Sequence, residues 1–162
     1  MNSNNNNVLQ IKNFLEVKFN KTKLNRLDFA RKSGVPYRKL CHILNCTRKN
    51  VNIETVIQIA NYFNCPIEQV LGIDNVSDNN QSYVEVNTVL ENFNKNLQQF
   101  IKEKISIEQI NPYVLSKEIG FNENVIKRYI DDKTHKITIS MPVIIGISHY
   151  FKTPIDKMIK RV

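Results

Sequence analysis

Residues 25–45, NRLDFARKSGVPYRKLCHILN, have a counterpart 86 positions later at residues 111–131, NPYVLSKEIGFNENVIKRYID. A pattern that recurs at a fixed offset constrains a chain strongly, because whatever one copy folds into the other must fold into as well. Asn13-Phe14 aligns with Gln99-Phe100, Leu24-Asn25 with Ile110-Asn111, Phe29-Ala30 with Leu115-Ser116, and Gly34-Val35 with Gly120-Phe121. Leu40 and Ile43 align with Ile126 and Tyr129. The offset then rises to 88, so the loop DKTHKITIS is two residues longer than its counterpart. The register holds to the end, with Tyr62-Phe63-x-x-Pro66-Ile67 set against Tyr150-Phe151-x-x-Pro154-Ile155.

The spacing of apolar residues predicts five short helices per copy. Val8, Ile11, Leu15 and Phe19 recur at helical intervals and predict a helix of about three turns, broken over residues 20–23. Asn25 stands where a short polar side chain caps a helix over 26–33, and Gly34, free to take positive φ, ends it. Pro36 opens a helix over 37–44. The polar loop NCTRKNVN leads to a helix over 53–64 capped by Asn52 and broken by Cys65-Pro66. A last short helix over 67–71 stops at Gly72. Residues 1–7 read as a disordered tail, 8–72 as the first domain, 73–83 as a polar linker, and 84–162 as the second domain. The second domain opens with a longer helix, from Tyr83 to about Lys104. Its early stripe of Val86, Val89, Leu90 and Phe93 has two readings: packing on the protein's own body, or a homodimer interface.

Composition narrows the class. The chain has 162 residues, 41% hydrophobic and 23% charged, as in globular proteins, and no apolar run long enough for a membrane span. Its net charge of +8 favours a polyanionic partner. Residues 1–76 hold 11 Lys/Arg against 5 Asp/Glu, and residues 77–162 hold 12 against 10, so the first half carries most of the excess. Three cysteines, an odd number, without a signal-like N-terminus point to a reducing cytoplasm. Cys41, His42 and Cys46 lack the paired spacing of a metal site, so no metal is expected. His135 and His149 read as ordinary surface or half-buried residues. There is no Walker loop, no GxSxG and no acid pair beside a nucleophile, so an enzyme is not expected and no cofactor is implied.

On these residues the chain resembles the Cro/repressor-type, or xenobiotic-response-element, helix-turn-helix family. The resemblance rests on Phe29-Ala30, Gly34-Val35-Pro36, Leu40-Cys41-x-Ile43, Ile53-x-x-Val56-x-x-Ile59-Ala60 and Leu71-Gly72. It covers nearly all of residues 8–72 and, more loosely, 95–160. It implies an all-α fold of two tandem five-helix, lambda-repressor-like modules joined by a short linker and a long helix. It also implies sequence-specific binding of double-stranded DNA by a transcriptional regulator, with repression the preferred sense. The sequence departs from the family at the first position of the second helix, usually polar: one copy has Arg26, and the other has Pro112, which has no N–H to donate.

The chemistry of the outward residues agrees with that implication. Tyr37, Arg38, Lys39 and His42 lie near the start of the second helix of the pair, where a recognition helix meets base edges. Arginine can bridge guanine O6 and N7 with two parallel hydrogen bonds. Arg26, Arg48 and Lys49 are placed for phosphates, which add salt-dependent affinity without reading sequence. A solvated basic face on a helical core is the competing reading. In the second copy the face holds Glu123, Asn124, Lys127 and Arg128, then Asp131 and Asp132, with Lys133, His135 and Lys136 in the loop. Three acids against two bases make a poor phosphate surface, so a structural or dimerising role is preferred there. Asn124 or Arg128 touching a base is the alternative, and Lys127, Lys133 and Lys136 would complete that second DNA surface. A protein-interaction or antitoxin-like adaptor is the rival for the whole chain.

Overall fold

The computed structural model describes residues 7–73 and 81–162. The tail expected over 1–7, apart from Asn7, and most of the expected linker lie outside the described residues. Ten helices are found among those described, and no strand. They are α1 (Asn7–Thr22), α2 (Arg26–Ser33), α3 (Tyr37–Leu44), α4 (Ile53–Tyr62), α5 (Ile67–Leu71), α6 (Val86–Glu108), α7 (Pro112–Glu118), α8 (Asn124–Asp131), α9 (Met141–Tyr150) and α10 (Ile155–Met158). The chain divides into two units, Met1–Val86 and Asn87–Val162. No described helix is long and apolar enough to cross a membrane.

In the first unit α1 packs on α3 and α5, and α2 on α3 and α4. Phe29 is fully buried and is touched edge-on by Phe19 and Tyr62, while Phe63 stacks on it at 5.5 Å between centroids. Ile11, Leu15, Leu40, Val56, Ile57 and Ile67 complete this core. Burying one such side chain is worth roughly 1.5–3 kcal/mol, and that burial stabilises helices otherwise too short to persist in water.

Local chemistry sets where the helices turn. Asn25 accepts a hydrogen bond from the Leu27 N–H at 2.8 Å, and Asn111 from the Tyr113 N–H at 2.9 Å. Asn25→Ala is expected to cost about 1 kcal/mol of stability, read from a urea midpoint with unchanged slope; no shift in midpoint would deny Asn25 its capping role. Gly34 takes φ 77° and Gly120 φ 84° at the ends of α2 and α7, where a side chain would strain the backbone.

Several boundaries differ from the sequence reading. α1 runs through the expected break to Thr22, whose hydroxyl donates to the Lys18 carbonyl at 2.7 Å, and left-handed Lys23 ends it. α4 stops at Tyr62, two residues early, before left-handed Asn64. Asn52 does occupy the cap position of α4, but its side chain accepts from the Thr55 hydroxyl and not from a backbone N–H. α6 starts at Val86, three residues later than expected, and extends to Glu108, where an i,i+4 contact between Lys104 and Glu108 spans the last turn.

The second unit repeats several of these devices at matched positions. Phe100 meets Phe151 edge-on at 5.8 Å, as Phe14 meets Phe63 at 5.5 Å. Lys104 lies over the Phe151 ring as Lys18 lies over Phe63. Left-handed residues fall at Lys23 and Gln109, Gly34 and Gly120, Asn64 and Lys152, and Gly72 and Lys160. These pairs are offset by 86 before the long loop and by 88 after it.

Candidate nucleic-acid interface

The candidate surface is built from α2, the Gly34 turn, α3 and the loop that follows. α3 has two distinct faces. Leu40, Ile43 and Leu44 are buried, while Tyr37, Arg38 and Lys39 are exposed. Arg26 at the start of α2 and Arg48 and Lys49 after α3 are also exposed. None of these five cations forms an ion pair among the described residues.

His42 differs from its neighbours. It is half-buried, and its Nδ1 lies 2.7 Å from the Thr47 hydroxyl, which also caps the end of α3 through the His42 carbonyl. Its reach toward a ligand in the groove is therefore shorter than that of Arg38 or Lys39. Cys41, Cys46 and Cys65 are free thiols, and no cluster able to hold a metal occurs among the described residues.

Two further residues hold this surface in place and were not singled out from the sequence. Gln58 on α4 donates to the Gly34 carbonyl at 3.0 Å, which ties the turn between α2 and α3 to the core. Thr47 orients His42. Neither stands out in a single sequence, because a polar residue on a half-buried helix face or in a loop has many possible partners.

The chain is 32% identical over 65 residues to an HTH-type transcriptional regulator of Rickettsia prowazekii. It is also 32% identical over 65 residues to an HTH-type transcriptional regulator of Rickettsia conorii. Each match takes in 38% of this chain, and 71% and 60% respectively of those proteins. The chain belongs to the HTH-type transcriptional regulators. No family model matches it, and no solved structure matches it significantly.

The second unit of this HTH-type regulator has an α2–turn–α3 counterpart in α7, Gly120 and α8, with different electrostatics. Lys127 is bound to Asp131 at 2.6 Å, and this hydrogen bond raises the Lys127 pKa above its ordinary value. Lys117 pairs with Glu123 at 2.9 Å. Asp132 accepts from the Thr134 hydroxyl and from the Ile137 and Thr134 N–H groups, and those bonds pull its pKa down to about 2. It keeps a fixed negative charge at the end of α8. Asn124, Arg128, Lys133 and Lys136 are exposed.

A network of buried amides holds the longer loop. Asn94 donates to the His135 and Ile137 carbonyls, and Gln98 to the Tyr129 and Asp132 carbonyls. His135 is exposed, as expected, and its Nδ1 meets Gln98 Oε1. Tyr129 donates to Asn94 Oδ1 at 2.6 Å, and burial pushes its hydroxyl pKa far up. Because the folded-state pKa of Asp132 is depressed, its stabilising effect is complete above its ordinary value of 3.8 and is lost as pH falls through about 2. A carboxyl titration by carbon-13 NMR is expected to put the Asp132 midpoint near 2; a midpoint near 3.8 would contradict this.

Of the two readings of the α6 stripe, packing within this chain accounts for Val89 and Phe93. Val89 and Phe93 are 2% and 6% exposed in the single chain, so they have almost no surface to offer a second copy. Val86 and Leu90 are half-buried. The 3.6-residue repeat points one stripe of α6 inward, and Val89 and Phe93 lie on it.

Proposed function

We propose that this protein is a sequence-specific DNA-binding transcriptional regulator with two tandem helix-turn-helix modules, reading DNA mainly through the first. The observation that carries the reading is the grouping of Tyr37, Arg38 and Lys39 on the exposed face of α3, flanked by Arg26, Arg48 and Lys49, with no carboxylate among the described residues paired to any of the cations. A helix held this way beyond a tight turn suits the major groove. Arg38 is the best candidate for guanine, Tyr37 for a thymine methyl or a phosphate, and the outer cations for the backbone. His42 contributes from the edge of the surface. The family membership and the Rickettsia relatives support regulation of transcription. Repression, by occupying a promoter, is the preferred sense of that regulation.

The tandem reading draws on the matched caps, turns, ring pairs and left-handed residues of the two units. In the second module, Lys127 bound to Asp131 and ionised Asp132 disfavour phosphate, while Tyr113 and Val114 are exposed on α7. A protein partner, including a second copy of this chain, fits that surface better than DNA. Asn124 and Arg128 remain the residues to test if the second module does touch a duplex.

Selection from a random duplex library is the direct test. Recovery of one motif, as a single half-site or as two, supports the reading, and its layout paired with light scattering separates a monomer from a homodimer. Failure to enrich any duplex at low salt would move the case to the protein-interaction adaptor.

A further inference from the structure

A cleft of about 220 Å³ opens in the first unit between the start of α1, the C-terminal half of α3 and the loop leading to α4. Val8, Ile43 and Val51 give it an apolar floor, and Lys39, His42 and Arg48 stand in its walls. No Asp or Glu lines it. Lys39 and Arg48 form no ion pair among the described residues, so two uncompensated cations share one concavity and raise its positive potential. The wall also holds a polar atom with unused bonding capacity. His42 Nδ1 is engaged by Thr47, but Nε2 is buried and has no hydrogen-bond partner among the described residues.

We propose that this cleft binds a small organic oxyanion, a phosphate or carboxylate carried on a short hydrocarbon body. The charged end would lie at Lys39 and Arg48, and the body would cover Val8, Ile43 and Val51. A DNA phosphate needs the cations but has no use for the apolar floor. The volume is below the ~300–1,000 Å³ of sites for drug-sized ligands, so the ligand is smaller than those. The second unit supplies an internal contrast. At the positions offset by 86 from Val8, Lys39 and Ile43 stand Asn94, Val125 and Tyr129, and the Tyr129 hydroxyl bonds to Asn94 across that space. There the counterpart of Lys39 is the uncharged Val125, and the Asn94–Tyr129 pair occupies the corresponding place.

One consequence rests on the DNA-binding reading above: Lys39 and Arg48 would serve both ligands, so occupancy of the cleft competes with the duplex. The binding proposal itself is tested without DNA. The full chain is titrated with phenyl phosphate, with inorganic phosphate and with sodium chloride at one ionic strength, and followed by NMR. Saturable shifts are expected at His42, Thr47, Val51 and Thr55, with phenyl phosphate half-saturating at about tenfold lower concentration than inorganic phosphate. Lys39→Ala is expected to weaken phenyl phosphate about tenfold while the rest of the spectrum stays in place. Shifts equal to those from chloride, or equal potency of the two phosphates, would overturn the proposal, as would shifts obtained only with a duplex. Saturating phenyl phosphate should then raise the apparent Kd for selected DNA about tenfold at fixed ionic strength; an unchanged Kd would overturn the competition. A protein that takes phenyl phosphate and no duplex would overturn the DNA reading alone.

Discussion

Asp156→Ala is expected to destabilise the second unit by about 3–5 kcal/mol, because it removes one partner of a buried ion pair. Asp156 and Arg161 are 2% and 1% exposed, and their side chains meet at 2.7 Å. The Arg161 N–H also donates to the Asp156 carbonyl at 2.8 Å, closing the chain after α10. The alanine variant takes a carboxylate away from a guanidinium that is buried in the folded unit. The double replacement Asp156→Leu with Arg161→Met removes both charges, and is expected to cost less than the single change. Hydrogen exchange of the α9 and α10 amides reads the local opening energy in the full chain. A loss below about 1 kcal/mol in the single variant would place this pair with exposed salt bridges. A buried acid recurs at the matched position of the first unit, where Glu68 is 1% exposed and its carbonyl accepts from the Ile73 N–H.

DNA affinity is expected to fall roughly 100-fold between 50 and 200 mM salt, the result of about four phosphate contacts with a slope near −0.9 each. Arg26, Lys39, Arg48 and Lys49 are the cations counted. Arg48→Ala should reduce the slope by about one and weaken all sequences alike. Arg38→Ala should cost about 1–3 kcal/mol on the preferred sequence and relax its discrimination at one position. The two signatures separate a base contact from a phosphate contact. A salt slope near zero, or an Arg38→Ala variant that keeps its full preference, would remove α3 from the reading role.

Some features of the fold could be derived locally. Asn25, Gly34, Pro36, Pro66 and Gly72 each have a conformational preference that acts within a few residues. The bounds of α2, α3 and α5 agree with the sequence reading for that reason. The start of α6 and the ends of α1 and α4 do not, because helix ends depend on which neighbour accepts the last turn. The basic residues around α3 could be listed from periodicity alone. That no described carboxylate pairs with them depends on packing. The same periodicity could not decide whether Val89 and Phe93 faced this chain or another.

Local backbone chemistry and apolar spacing therefore determined the helices, the Gly34 and Gly120 turns and the matched registers, since these are interactions between residues three or four apart. Tertiary structure decided what residues far apart in the chain do to one another. It set Gln58 on the Gly34 carbonyl, drew Asn94 and Gln98 onto the long loop, and shaped the cationic cleft beside α3. Such contacts depend on distances across the core, and one sequence contains no measure of those.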